Sequence, residues 1–210
     1  MSRITRWAVL AAMLASLFAM LSSSAGAVTW HNSGDTAFTA SGGASTMTVT
    51  AVNLACTGSN QTGTSPSASF VGNTYMMASG TVTYTGCTLS GVATTSVCDF
   101  LLYTAATSPP PWDLALLIGW AVCRIYQFGV EICRVEGQTT GGYNNPVNPS
   151  TFGKITISSS TALRTTNGSG ATCPLGAGEP LALTAQTWTI SSAGGGATTP
   201  HLGPRITRTA

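Results

Sequence analysis

Short segments in which Thr or Ser alternates with an apolar residue recur along the chain. Residues 81–85 place Val82 and Tyr84 on one side and three threonines on the other, which is the period of a half-buried strand. Residues 46–54 alternate in the same way, but the parity slips near residues 51–52, which predicts a β-bulge there. The other strand candidates are residues 36–40, 97–103, 155–158 and 181–190.

Clusters of Gly, Ser, Asn and Pro separate these candidates, notably residues 58–66, 141–146 and 167–170, and such clusters are typical of turns. Frequent turns between short strands predict an all-β fold, an antiparallel β-sandwich or a barrel. We expect one β-rich domain over residues 28–193. The Gly/Thr/Pro-rich residues 194–210 read as a flexible C-terminal tail.

Residues 112–128 are unusually apolar, and three structures are compatible with them. Two core strands broken at Gly119 are favoured, because aromatic and β-branched residues prefer strands. The alternate positions after the break would share one face: Trp120, Val122, Arg124, Tyr126 and Phe128. A buried helix after the prolines 109–111 and a membrane span are the alternatives, although Asp113 and Arg124 leave the span short.

The N-terminus has the pattern of a secretory signal peptide. Arg3 and Arg6 precede the apolar run 7–21, and a small-residue segment ends at Ala27. We therefore expect residues 1–27 to be removed on export and the protein to be secreted. Its contact with a membrane would be limited to this cleaved segment.

Charge is scarce in this chain. Charged residues make up 7% of it, against about 25% in typical soluble domains. Removal of the signal peptide would leave six bases and six acids, a net charge near zero. Such a surface lacks the basic footprint of nucleic-acid binding. Solubility then depends on neutral hydroxyls, which are abundant, since the full chain has 34 Thr and 23 Ser. Weak charge repulsion favours self-association or attachment to a cell-wall or surface component.

The six cysteines follow the signal segment: Cys56, Cys87, Cys98, Cys123, Cys133 and Cys173. An even number in an exported chain predicts three disulfides, for which there are 15 connectivities. Sequence order and strand adjacency favour Cys56–Cys87, Cys98–Cys123 and Cys133–Cys173. The cysteines are too widely spaced for a short metal-binding pair, so neither a metal site nor another cofactor is expected.

Several short sequences are similar to those of a known group of proteins. They are residues 34–42, 54–57, 83–87, 111–112, 133–137 and 143–144, with a late Cys173 before a terminal strand. Together they resemble Thr/Gly-rich secreted actinobacterial proteins that are described as hypothetical. The resemblance implies an exported all-β domain and supplies no activity or site residue.

Histidines for catalysis are poorly placed. His31 and His201 lie near the two ends of the expected mature chain. A Ser-His-Asp site needs a histidine that is held rigidly by a buried carboxylate. His31 with Asp35 is the one local pair of a histidine and an acid, and a solvated N-terminal segment explains it more simply.

The carboxylates offer no clear catalytic pair either. Glu131 and Glu136 are five residues apart and therefore lie on opposite faces of a regular strand. Asp99 with Glu179 or Asp113 stays open as a pair, although surface roles explain each acid more simply. With so few acid–base groups, we expect no enzymatic activity.

Aromatic residues are concentrated in one third of the chain. Trp112, Trp120, Tyr126 and Tyr143 are candidates for stacking against a ligand, with Phe128 nearby. Exposed Trp and Tyr on a rigid sheet can bind sugars or other flat apolar groups. The simpler interpretation is that these side chains fill or cover the core.

Two functional hypotheses follow. The first is a secreted, non-catalytic structural or surface-interaction protein. The alternative is an extracellular carrier that binds a small apolar or aromatic ligand in a barrel or inter-sheet cleft. A carrier requires an internal cavity of about 300 Å³ or more, whereas a surface protein requires its binding groups on the outside.

Overall fold

The computed structural model describes residues 29–32, 36–49, 52–66, 69–72, 74–105, 114–145, 152–158, 160–167, 173–192 and 206–209. These residues form strands, turns and loops and no helix, which confirms the predicted all-β class. Residues 1–27, the predicted signal peptide, lie outside the described residues.

The described residues form fifteen strands. They are β1 (Thr29–Asn32), β2 (Ala37–Gly42), β3 (Ser45–Val49), β4 (Val52–Cys56), β5 (Gly58–Thr64), β6 (Phe70–Val71), β7 (Thr74–Leu89), β8 (Val92–Ala105), β9 (Leu114–Gln127), β10 (Val130–Asn144), β11 (Lys154–Ile157), β12 (Ser160–Asn167), β13 (Pro180–Leu183), β14 (Gln186–Ser192) and β15 (Ile206–Thr209).

Four long strands and four interrupted strands build one closed sheet. β2 with β3, β4 with β5, β11 with β12, and β13 with β14 are each two halves of one longer strand, because both halves lie between the same neighbours. β7, β8, β9 and β10 run without interruption between them. Neighbours are antiparallel throughout, and β13–β14 pairs with β2–β3. The result is an eight-stranded up-and-down barrel.

The core fills the inside of the barrel. On β8, Cys98, Phe100 and Leu102 are buried, whereas Asp99 between them is exposed, as the two-residue period of a strand requires. The buried side chains of the barrel strands form one apolar cluster. Burying each large apolar side chain contributes about 1.5–3 kcal/mol to the stability of the fold. The apolar positions of the alternating pattern are therefore the main source of stability.

Three disulfides join neighbouring parts of the barrel. Cys56–Cys87 links β4 to β7, Cys98–Cys123 links β8 to β9, and Cys133–Cys173 links β10 to the loop before β13. These are the pairs that sequence order and strand adjacency favour. Intramolecular disulfides of this number are typical of extracellular proteins.

A small three-stranded sheet lies beside one end of the barrel. β1 pairs with β15 and with β6. Trp30 on β1 is buried and stacks on Tyr75 of β7 at a centroid distance of 6.1 Å. Asn145 donates to the carbonyl of Ile206 at 2.7 Å and accepts from its amide at 2.8 Å, which ties β15 to the end of β10.

The interruptions of the four broken strands lie beside one another. The break after Gly42 is next to that after Leu183, and Thr184 exchanges hydrogen bonds with the backbone of Thr46 across it. Between β4 and β5, Thr57 faces Gly86 of β7, whose φ of 58° favours glycine. Such bulges bend the sheet at barrel corners and keep side chains directed inward on both sides of the bend.

Glycines allow close approach where the long and interrupted strands meet. A Cβ added at Gly80 on β7 would overlap the carbonyl oxygen of Thr62 on β5. A Cβ added at Gly141 on β10 would overlap the carbonyl oxygen of Thr156 on β11. At both places, the close pairing of a long strand with an interrupted strand therefore requires a residue without a side chain.

Three segments differ from the sequence expectation. The parity slip at residues 51–52 is a reversal of the chain, since β3 pairs with β4 through Val49 and Val52, and it is not a bulge. The apolar stretch forms one strand, β9, which continues through Gly119. Within the expected tail, Ile206–Thr209 forms β15 because β1 offers it a free edge to pair with, and residues 194–205 lie outside the described part.

Candidate functional site

The outer face of β8 and β9 carries several apolar side chains around Trp120. The two strands pair without a register shift from Thr95 opposite Tyr126 to Thr104 opposite Leu117. Alternate residues therefore stay on one face, and Leu101 lies directly opposite Trp120. Trp120 is 44% exposed, although indole is among the side chains that gain most from burial.

A shallow depression of about 320 Å³ lies beside this indole. Its lining residues come from β7, β8 and β9: Ser79, Gly80, Asp99, Phe100, Leu101, Trp120 and Val122. The volume is at the lower end of the range of ligand-binding clefts, about 300–1,000 Å³. Gly80, which the close approach to β5 requires, also leaves this part of the sheet without a side chain.

Asp99 is the charged residue that lines the depression, and it forms an ion pair with Arg124, which is not among the lining residues. Arg124 Nη1 donates to Asp99 Oδ2 at 2.8 Å, and Thr81 Oγ1 donates to Asp99 Oδ1 at 3.4 Å. The hydrogen bond from Arg124 to Asp99 raises the pKa of the guanidinium. Both side chains are partly exposed, at 34% for Arg124 and 52% for Asp99. A carboxylate accepts up to about four hydrogen bonds, so Asp99 can still accept from a ligand.

The inside of the barrel holds a much smaller cavity of about 60 Å³. Its lining is mainly apolar, with Gln61 and Tyr84 among the polar members. Gln61 Oε1 is buried without a hydrogen-bond partner within the described part of the chain. Tyr84 donates to Gln186 Oε1 at 3.1 Å, and burial raises the pKa of its phenol. This space suits one or two water-sized molecules and is far below the size of a carrier's pocket.

The structure separates the four aromatic residues that the sequence groups as stacking candidates. Trp120 lines the outer depression, and Tyr126 is half-buried further along the same strand. Tyr143 is fully buried in the core, because its position on β10 faces inward, and it is not available for stacking on a ligand. Trp112 lies outside the described residues.

Glu131 and Glu136 are closer in space than a regular strand would place them. The register of β10 against β9 shifts between Glu131 and Cys133, so the parity argument fails there. Arg134 lies between the two acids, with Nη2 3.0 Å from Glu131 Oε1 and Nη1 3.8 Å from Glu136 Oε1. Both carboxylates share this guanidinium, which indicates a structural ion-pair network.

The remaining candidates for chemistry are not brought together in the described residues. His31 Nδ1 lies 2.6 Å from Ser69 Oγ, whereas Asp35, His201 and Asp113 fall outside the description. Glu179 is exposed in the loop before β13. Wherever the structure describes the chain, no three His, Cys, Asp or Glu residues form a group suited to a metal ion.

Asp99 and Leu101 line the site, but no local sequence pattern links them to Trp120, whereas the alternation along β9 already places Arg124 on the face of Trp120. The signal that could have found them is the disulfide between Cys98 and Cys123, which are direct cross-strand partners. Antiparallel pairing from that link places Leu101 opposite Trp120, with Asp99 and Arg124 one position from the disulfide on their own strands.

Comparison with known proteins identifies no relative: no family model, curated protein or solved structure matches this chain. Among the described residues, no helix is long and apolar enough to cross a membrane. The geometry of the barrel and its outer face is therefore the basis for inferring a function.

Proposed function

We propose that this protein is secreted and acts without catalysis, as a structural or surface-interaction protein that uses the outside of its barrel. The observation that carries the proposal is the exposed Trp120 in a depression of about 320 Å³ on the outer face. An indole with this exposure is available to a partner, whereas the inner cavity of about 60 Å³ gives the carrier alternative little support.

The export half of the proposal is supported by two independent features. Residues 1–27 have the basic, apolar and small-residue regions of a signal peptide. The three disulfides suit an oxidising environment and would be unstable in a reducing cytosol. The near-zero net charge of residues 28–210 lowers the electrostatic cost of settling on a neutral surface or against another copy.

The test is to fractionate cells that produce the protein naturally and to measure the intact mass without reduction. We expect the mass of residues 28–210 less six hydrogens, and we expect the protein in the cell-wall fraction or in assemblies that sediment. A cytosolic chain that retains residues 1–27 would contradict export. A fully soluble monomer that binds neither walls nor itself would contradict the surface role.

A further inference from the structure

The depression beside Trp120 combines three kinds of group. It offers an exposed aromatic face from Trp120, apolar contact from Leu101 and Val122, and the carboxylate of Asp99, which is paired with Arg124. We infer that this depression binds a neutral saccharide. The inference deepens the proposed surface role, on which it rests, by naming the ligand class.

Each part of a sugar ring has a matching group in the depression. The C–H face of a pyranose is apolar and can lie against the indole of Trp120. The hydroxyls at the ring edge both donate and accept hydrogen bonds. Asp99 supplies carboxylate acceptors in the depression, and the guanidinium of Arg124, which is paired with that carboxylate, is partly exposed next to it.

The charge of the site indicates a neutral ligand. The one acid that lines it, Asp99, is paired with Arg124 at 2.8 Å, so its charge is already balanced. A phosphate or a uronic acid would need an unpaired cation to offset its desolvation. The volume of about 320 Å³ suits a single sugar ring or a disaccharide unit of a longer chain.

The same ion pair disfavours the two other partners that an apolar surface can have, a lipid bilayer and a second copy of the chain. Insertion into a lipid bilayer would bury Asp99 and Arg124 beside the indole, away from the water that now surrounds them. A second copy of the chain would desolvate the pair in the same way. Sugar hydroxyls instead replace the displaced water with hydrogen bonds of the same kind.

The test is isothermal titration calorimetry of the exported protein, residues 28–210, with neutral hexasaccharides of glucose, N-acetylglucosamine and xylose. Trp120→Ala is expected to weaken the binding of the preferred sugar at least about tenfold, as for a central aromatic contact. Trp120→Tyr retains an aromatic face and is expected to stay within about threefold of the parent. Asp99→Ala is expected to lose about tenfold through its hydrogen bonds.

Phe152→Ala is the matched control, because Phe152 is 45% exposed and is not among the residues that line the depression. It is expected to leave the affinity unchanged. Thermal unfolding and the non-reduced mass of each variant show whether it has folded. If Trp120→Ala does not fold, Asp99→Ala and Trp120→Tyr still decide the question.

The inference is overturned if none of the sugars binds at 10 mM, about the weakest affinity of interest. It is also overturned if folded Trp120→Ala or Asp99→Ala binds as tightly as the parent. Two parallel measurements separate this failure from that of the proposed function: flotation with phosphatidylcholine vesicles and sedimentation of the protein alone. Vesicle binding or dimerisation that depends on Trp120 would overturn the sugar site and retain a surface role.

Discussion

One half of the barrel consists of the long strands β7–β10 and the other half of the four interrupted strands. The two halves share one core but have different outer faces. On the long strands β8 and β9, the outward positions include Leu101, Trp120 and Val122. On the interrupted strands, the outward positions are mostly hydroxyls, and Thr156 of β11 contacts Thr187 of β14 through their side-chain oxygens at 3.3 Å. The inner faces of both halves are apolar.

This difference shows how strand continuity relates to surface chemistry. Three of the interruptions shift the parity of their strand: the buried positions change between even and odd numbers in β2–β3, β4–β5 and β13–β14, whereas they stay odd in β11–β12. β8 and β9 pair without such a shift, and their outward side chains therefore form one extended surface. Neutral hydroxyls are frequent on the outside of the interrupted strands, whereas the apolar side chains beside Trp120 lie on the uninterrupted strands β8 and β9.

The largest expected contrast is between the two tryptophans that represent these faces. Trp188 on β14 is buried, and its Nε1 donates to Ser59 Oγ at 2.8 Å. We expect Trp188→Ala to lower the free energy of unfolding by about 3–5 kcal/mol, because it leaves a cavity and an unpaired hydroxyl. Trp120→Ala should lower it by only about 1 kcal/mol, because 44% of the residue is already exposed. Urea denaturation at pH 7 measures both, and equal losses would contradict the assignment of inside and outside.

The second effect concerns the link that holds β8 to β9. Replacing Cys98 and Cys123 together by Ala should lower the free energy of unfolding by about 3 kcal/mol, from the lost constraint on the unfolded chain. Replacing Cys133 and Cys173 should cost a similar amount, because their separations of 25 and 40 residues differ little in loop entropy. Denaturant curves test this result.

The fluorescence of the folded protein distinguishes these two disulfide variants. The loss of Cys98–Cys123 should shift the emission of the native state, since this link lies between the strands that position Trp120. The loss of Cys133–Cys173 should leave the surroundings of Trp120 as they are. A shift in the second variant alone would show that the outer face depends on a more distant part of the barrel.

The third effect concerns the two places where a long strand pairs with an interrupted strand, β7 with β5 and β10 with β11. We expect Gly80→Ala and Gly141→Ala each to lower the free energy of unfolding by about 2 kcal/mol, because the new Cβ meets the neighbouring backbone and the strands must separate. Gly43→Ala is the control, since nothing lies within 4 Å of its added Cβ. Thermal unfolding compares the three. A loss in Gly43→Ala as large as in the others would contradict a steric cause.

The smallest effect is a dependence on alkaline pH. Burial raises the pKa of Tyr84 and of Tyr143 above the ordinary value of 10.0. Their neutral form is therefore favoured by folding, so this contribution to stability is complete below pH 10 and is lost as the pH rises above 10. Tyr84→Phe should cost about 1 kcal/mol at pH 7 and make the alkaline loss shallower. Unfolding curves from pH 8 to pH 11 measure this, and an unchanged slope would contradict it.

Much of the fold follows from local patterns in the sequence. The alternation around Val82 and Tyr84 predicts an inward face, and both residues are buried in β7. The even number of cysteines predicts three bridges, and strand adjacency favours the pairs that are found. Local patterns were less informative at Glu131, where a bulge reverses the expected parity, and at Gly119, which does not end its strand.

The candidate site was only partly accessible to sequence reasoning. The concentration of aromatic residues in one third of the chain indicates Trp120, but the same pattern includes Tyr143, which is buried. A side chain's exposure depends on which face of the sheet turns inward, and that is decided when the sheet closes. Asp99 and Arg124 are 25 residues apart and meet only because β8 and β9 pair in one register.

By itself, the sequence determined the class of the protein: strands from the two-residue alternation, turns from Gly, Asn and Pro, and cross-links from the paired cysteines. These are local properties that each segment carries with it. The tertiary structure alone decided that the sheet closes into a barrel, that Trp120 faces outward and that Asp99 and Arg124 lie beside it. Such arrangements depend on register between distant strands, which arises from packing of the whole core and not from any one segment.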